Sequence, residues 1–293
     1  MTKKVKKSII KLILQGGRLL MLEIPESIIL SKEINETLGG KVIRYVKANQ
    51  SPHSFAWYHG NPDSYDELLS GKTIETARPC GGMLEIKVED CKIVFTDGTA
   101  IRYYDDRNKA PKKHQLYIEF EDDSALVVTV MMYGGIWAFT DGDFKNGYYL
   151  GAIDKPHPLS KEFDYHYFMS LYTNKCENLS AKAFLATEQR IPGLGNGVLQ
   201  DILFIAGIHP KRKMKDVEDE EFQVLYNAIK KVLQEMVDGR GRDTEKDIFG
   251  EEGRYSTYLS RKTYLTPCTK CGYEIRKANY MGGTIYFCEK CQK

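Results

Sequence analysis

The chain has 293 residues, 42% of them hydrophobic and 28% charged, with a formal net charge of +2. That length suffices for two domains and a small third, each with its own core, and no apolar run reaches the roughly eighteen residues that a membrane-spanning helix needs. The cysteines number seven, with four of them in the last 26 residues, which argues against a disulfide framework and for a reducing, cytoplasmic compartment. Cys80, Cys91 and Cys176 read as buried thiols.

The small net charge hides an asymmetry. Lys3, Lys4, Lys6, Lys7, Lys11 and Arg18 make residues 1–20 +6, the stretch 254–293 is also +6, and the middle is therefore −10. A basic C-terminal stretch fits an anion-binding surface and a solvated tail equally well. The opening MTKKVKKSIIKLILQGGRLL lacks a small-residue cleavage site and is interrupted by Lys11, Gln15 and Arg18, so a secretory signal does not fit. A surface-lying basic helix is one reading. The favoured one takes residues 1–20 as an extension outside the native chain, with translation starting at Met21.

Residues 21–150 follow as one domain. Pro25 with Glu26 behind it predicts a helix through ESIILSKEINETL, with Ile28, Ser31, Ile34 and Leu38 on one face and Gly39-Gly40 as its stop. Strand-like runs come next in KVIRYVKA, GMLEIKV, KIVFTDG, HQLYIEFED, SALVVTVMMYGG and IWAF, separated by Gly, Asp and Asn turns. Such spacing predicts a β-sandwich or barrel. Beyond KPHPLS the pattern turns helical, giving a second domain at 156–240. Ser160 is expected to cap KEFDYHYFMSLYTN and Ser180 to cap AKAFLATEQ, followed by GVLQDILFIAG and the amphipathic VEDEEFQVLYNAIKKVLQEMVDG. A Gly-, Arg- and Asp-rich loop opens the last segment, 241–293.

That segment holds the sharpest chemical signal, Cys268-x2-Cys271-x16-Cys288-x2-Cys291. Two CxxC knuckles joined by a hairpin, here turning at Gly282-Gly283, can close four thiolates on one tetrahedral centre. The reading is one structural zinc ion. The second signal is TEQRIPGLGNGVLQDILFIAGIHPKRK, where two helices meet at a turn containing Pro192, Gly193, Gly195, Asn196 and Gly197. Converging backbone amides at a helix start can bind phosphate. A plain tight helical turn has the same composition, and Lys211, Arg212, Lys213 and Lys215 tilt the reading toward nucleic acid.

LEIPES at the head, EQRIPGLGNGVLQDILFIAGIHP in the middle and YFCEKCQ at the end resemble the formamidopyrimidine-DNA glycosylase and endonuclease VIII family over Met21–Lys293. The resemblance implies an α+β multidomain chain: an N-terminal β-sandwich with one helix, a helix-two-turn-helix domain and a C-terminal four-cysteine zinc hairpin. It implies lesion-containing double-stranded DNA as partner, a monomer free of membranes, and a cytoplasmic, nucleoid-associated bacterial setting. By the same resemblance Asn196 with Gly195 and the turn amides would grip a DNA phosphate, assisted by Lys182; Lys211, from the basic cluster, is a further candidate for DNA contact.

The departures from the family pattern decide how the activity is read. Family enzymes attack the sugar C1′ with an N-terminal proline amine, and the matching position here is Leu22. A leucine within a peptide bond has no amine to offer. Glu23 and Glu26 match the family's acids and are the candidate catalytic residues that persist. Gly82 stands where the family has a lysine, and Gly283 where its finger has an arginine. Met131, Met132 and Tyr133 align with the loop that fills the duplex, so Met132 reads as a DNA-contacting wedge, with a strand-core role as the plainer reading. His114 and Gln115 read as structural hydrogen-bonding residues. Three functions remain open: damaged or abasic DNA binding in base excision repair with the covalent step lost or altered, an active glycosylase and AP lyase using another amine such as that of Met21, and a non-catalytic module for RNA or another partner.

Overall fold

A computed structural model describes residues 22–293; the readings made for residues 1–20 and for the Met21 amine lie outside the described residues. The first helix, α1 (Ile24–Leu38), starts with Pro25 in its first turn and buries Ile24, Leu30, Ile34 and Leu38. Ile28, read from sequence as sharing a face with Ile34 and Leu38, lies only partly buried against the helical core. Gly39 ends the helix and Gly40, at φ 83°, turns the chain away.

Nine strands make two packed sheets. One runs in the order β1 (Ile43–Ala48), β7 (Leu116–Phe120), β8 (Ala125–Val130) and β6 (Thr99–Tyr104). The other runs β2 (Ala56–Tyr58), β9 (Gly134–Thr140), β5 (Cys91–Phe95), β4 (Met83–Val88) and β3 (Ile74–Cys80), and only β2 pairs in parallel. Leu84, Ile86, Ile93 and Phe95 from one sheet meet Ile101, Leu116, Ile118 and Leu126 from the other in a dry core that also takes Leu22. A short helix, α2 (Tyr65–Leu69), plugs one end of this sandwich, and α3 (Gly147–Ile153) covers its outer face through Tyr149 and Ala152.

The helical part contains α4 (Tyr165–Ser170), α5 (Ala181–Ala186), α6 (Val198–Ala206) and α7 (Asp219–Asp238). Ser180 caps α5 as expected, its Oγ accepting from the Ala183 amide at 3.2 Å. Ser160 does not cap α4. That helix starts later, at Asp164, whose carboxylate accepts from the Tyr167 amide at 2.7 Å and outcompetes the hydroxyl upstream. α7 opens on a reciprocal Glu218–Glu221 capping box and buries Phe222, Leu225, Ile229, Val232 and Met236.

The loop after α7 returns to the sandwich, where Ile248 enters its core and accepts from the Tyr103 amide at 2.7 Å. The chain ends in the hairpin β10 (Arg276–Tyr280) and β11 (Gly283–Phe287). Its turn is Met281-Gly282, both at positive φ (51° and 78°), one residue earlier than the Gly282-Gly283 expected. Such a primed turn matches the twist of the flanking strands, and Gly283 becomes the first strand residue.

Candidate nucleic-acid interface and metal centre

The head of the sandwich is sealed from three sides. Leu22 is buried in the core. Gly82, at the start of the β4 hairpin, leaves no room for a side chain: a Cβ there would stand 2.9 Å from Gly193 Cα and 3.0 Å from the Leu22 carbonyl oxygen. Gly193 reciprocates, since its own Cβ would fall 1.9 Å from the Gly82 amide nitrogen. The two backbones therefore interlock, and the Ile24 amide donates to the Gly193 carbonyl at 3.1 Å to close the junction.

Glu23 crosses this junction. Its Oε1 accepts from the Gly197 amide at 2.8 Å and its Oε2 from the Val198 amide at 2.7 Å, so it occupies the positive N-terminus of α6. Gly195 is needed for this approach, because a Cβ on it would lie 2.6 Å from the Glu23 carboxyl. The amides of Gly197 and Val198, proposed from sequence as part of a phosphate cradle, thus already hold an internal anion. Arg242 completes the network from the loop after α7. It is fully buried, grips Glu26 with Nε and Nη2 at 2.8 and 2.7 Å, and lies 3.4 Å from Glu23. Burial raises the Glu23 carboxyl above its usual range even though Arg242 opposes the shift. Burial also works against the Arg242 charge, but the two carboxylates more than offset it and hold the guanidinium well above its usual value.

A second cluster forms where the helical turn meets the hairpin. Asn196 Nδ2 donates to the Thr284 carbonyl at 2.8 Å, while its Oδ1 is buried with no hydrogen-bond partner. Lys182 is buried, and its Nζ donates to the Tyr280 carbonyl at 2.9 Å. Desolvation lowers its ammonium to a pKa of about 8. Lys211 places its Nζ 5.5 Å from the centre of the Tyr280 ring. Gly283 faces this group with no side chain of its own; a Cβ there would meet Lys182 Nζ at 3.4 Å and Asn196 Cγ at 3.5 Å. Lys182, Asn196 and Lys211 are therefore brought together, whereas Glu23 and Glu26 belong to the sealed junction.

Met131, Met132 and Tyr133 lie in the connection between β8 and β9 rather than inside a strand, with Met131 exposed and the other two half-buried. His114 and Gln115 are buried. The His114 Nδ1 pairs with the Pro111 carbonyl at 3.0 Å, and Gln115 bridges the Ser51 carbonyl and the Val130 amide, both at 2.7 Å. Two residues escaped the sequence reading. Arg242 had a faint signal, as the second arginine of the glycine-rich GRGRD. Asp97, in the turn between β5 and β6, had none: its Oδ2 accepts from the Tyr133 hydroxyl at 3.2 Å and its Oδ1 is buried without a partner.

The four terminal thiols converge, all within 4.8 Å of one another, with Cys268 and Cys291 Sγ atoms 3.8 Å apart and those of Cys271 and Cys288 3.5 Å apart. A closed four-thiolate set of this kind can hold a metal ion. Gln292 braces it, accepting from the Cys288 amide at 2.9 Å and donating to the Ile208 carbonyl at 3.1 Å.

A strand sandwich locked to a glycine-tight helical turn, with a four-cysteine hairpin packed on that same turn, defines the class of helix-two-turn-helix proteins ending in a cysteine finger. The profile of the Formamidopyrimidine-DNA glycosylase H2TH domain matches residues 155–247. The chain is 29% identical over 286 residues to the formamidopyrimidine-DNA glycosylase of Bacillus licheniformis, covering 93% of this chain and all of that one. It is 31% identical over 166 residues to the Histophilus somni protein of the same name, 54% of this chain and 58% of that one. Among solved structures, the MutM (Fpg) protein of Thermus thermophilus superposes with a TM-score of 0.77 at 22% identity, covering 92% of this chain and 98% of that one. Lactococcus lactis Fpg, solved in complex with an abasic-site-containing DNA, gives a TM-score of 0.80 at 22% identity over 92% and 99%. Over nearly its whole length the chain is similar to formamidopyrimidine-DNA glycosylases, and its residues 155–247 match their H2TH domain.

Among the described residues no helix is long and apolar enough to cross a membrane.

Proposed function

We propose that this chain binds duplex DNA at damaged or abasic sites in base excision repair, on the scaffold of a DNA glycosylase and AP lyase whose proline nucleophile is replaced by Leu22. The observation that carries the reading is Lys182. It is a buried cation whose nearest partner is a carbonyl, with no carboxylate in ion-pair range among the described residues. A desolvated ammonium left so is costly unless an anion arrives. A DNA phosphate seated against Lys182, Asn196 and Lys211 supplies that anion; the second Nδ2 hydrogen of Asn196 can donate to it, and Oδ1 is left to accept from a bridging water. Related structures bind such DNA: the Lactococcus lactis protein with abasic-site DNA and with Fapy-dG DNA, and MutM with carbocyclic 8-oxo-G DNA.

The cysteine centre fits zinc. Tetrahedral Zn–S bonds of about 2.3 Å set sulfurs about 3.8 Å apart, and the pairs here stand 3.8 and 3.5 Å apart. Cys268, Cys271, Cys288 and Cys291 would hold the ion, whose closed shell makes it a staple for the hairpin that carries Tyr280 and Gly283. Glu23 and Glu26 serve in this reading to fix the turn against the sandwich, because both are engaged by amides or by Arg242. In this reading Met132 and exposed Met131 contact the duplex from the β8–β9 connection.

The test is fluorescence anisotropy with three probes of one sequence: a duplex bearing a tetrahydrofuran abasic analogue, the intact duplex, and the matching RNA. The reading expects tightest binding to the abasic duplex and weakening with salt. Equal affinity for RNA and abasic duplex refutes it.

A further inference from the structure

Within the sandwich, Asp97 is the one carboxylate among the described residues with a buried oxygen left entirely unpaired. Its turn is rigidly held: Gly98, at φ 82°, lies so close to the Tyr133 carbonyl that a Cβ would stand 1.8 Å from that oxygen. Asp97 Oδ2 takes the Tyr133 hydroxyl at 3.2 Å, and the Tyr133 ring sits 6.0 Å from that of Trp57. Trp57 and Tyr148 are each about half exposed, at 51% and 49%, and Tyr148 is close enough to Asp97 for its ionisation to feel the carboxylate. Two partly exposed aromatic side chains thus flank the Asp97–Tyr133 pair.

Glu23 is the other acid of this region, and it is near enough to oppose the Asp97 charge. The two acids are equipped differently. Both Glu23 oxygens are held by backbone amides of α6, whereas Asp97 keeps one oxygen open, and a buried polar atom in that condition is normally completed by a water or a ligand. Burial and the nearby Glu23 raise the Asp97 carboxyl to a pKa of about 7, where a general base at neutral pH is most effective.

We propose that Asp97 is a catalytic general base for hydrolytic base release, an activity that needs no amine and rests on the reading of the chain as a binder of damaged duplex. A water on Oδ1 gives its proton to the carboxylate while its oxygen bonds to C1′ of the extruded nucleotide. The C1′–N bond breaks, its electron pair leaves with the base nitrogen, and that nitrogen takes a proton from solvent. The products are the free base and an abasic site with an intact backbone. Tyr133 is a positioning residue, orienting the carboxylate through Oδ2 and leaving Oδ1 for the water.

The experiment uses the full chain with duplexes carrying 8-oxoguanine, Fapy-dG or a tetrahydrofuran site, measuring base release by chromatography and strand breaks with and without alkali. The wild type is expected to release a damaged base from at least one of the first two duplexes, leaving alkali-labile sites and no direct nicks, with oxygen from labelled water at C1′. Asp97→Asn is expected to lower that rate by about 100-fold or more, without loss of stability or of affinity for the tetrahydrofuran duplex, and Asp97→Glu to recover part of it. Tyr133→Phe should shift the pH–rate profile. Undiminished release by Asp97→Asn, direct nicking, or no release from either lesion while the tetrahydrofuran duplex is bound tightly overturns the proposal and leaves the binding reading standing. Loss of preference for the tetrahydrofuran duplex in the wild type overturns that reading instead.

Discussion

Two junctions hold the molecule together, and they treat polar groups in opposite ways. At the head of the sandwich every charge is answered internally: Glu23 fills the start of α6, Arg242 spans Glu23 and Glu26, and Gly82 and Gly193 leave no space for a further side chain. At the junction of the helical turn with the hairpin, Lys182 has only a carbonyl, Asn196 Oδ1 has nothing, and Gly283 leaves the surface bare. In the proposed reading the first arrangement is a structural joint and the second, through the Lys182 ammonium, a seat for an anion.

The comparison can be broken most forcefully at the metal. If the four thiols hold zinc as proposed, stripping it with a strong chelator removes a term of about 10 kcal/mol or more from the hairpin. The expected result is loss of abasic-duplex affinity with the sandwich still folded, read by amide exchange restricted to residues after about 260. Next comes the sealed joint. Arg242→Ala removes the cation shared by buried Glu26 and Glu23, leaving Glu23 only its two amide partners, and should cost about 3–5 kcal/mol in chemical denaturation.

Asp97 offers a smaller effect with a defined sign. Its carboxyl is raised from 3.8 to about 7, so between those values the folded chain holds a proton that the unfolded chain has released. Its contribution to stability is complete below pH 4 and is lost as the pH rises through 7. Asp97→Asn should therefore be more stable than the wild type at pH 8, by about 1–3 kcal/mol, and the gap should close toward pH 4.

The mildest test sharpens the open junction. Lys182→Ala should weaken duplex binding by about tenfold and reduce the salt slope by about one phosphate contact. Lys182 is lowered from 10.5 to about 8. Without DNA, stability gains as the pH rises through that interval, since only the unfolded chain still carries the proton. With phosphate present the proton is retained, so the wild type should take up protons on binding near pH 8.5, and the variant should not. Calorimetry in buffers of different ionisation enthalpy reads the difference.

What could be seen in the amino-acid order follows the range of the interactions involved. The cysteine knuckles, the Ser180 cap, the Gly39-Gly40 stop and the amphipathic α7 depend on neighbours within a few residues, and these were legible. The absence of an amine at Leu22 and of a lysine at Gly82 was legible through the family resemblance. Glu23 reaching Gly197 and Val198, and Arg242 reaching Glu26, join residues on different elements far apart in the chain, and no local pattern announces them. The strand β3, IETARPC, carries an arginine and a proline, and β2 has only three residues, so neither stood out. Asp97 was hidden because an Asp-Gly pair after a strand is an ordinary turn. Only its burial beneath Tyr133 sets it apart.

The central claim is that the described head of the molecule presents no amine to a sugar. Its most direct test is borohydride trapping of the full chain on a duplex with a true abasic site, followed by peptide mapping of any adduct. The account expects tight binding and no covalent adduct. An adduct mapped to an amine that sits against the bound sugar would contradict it.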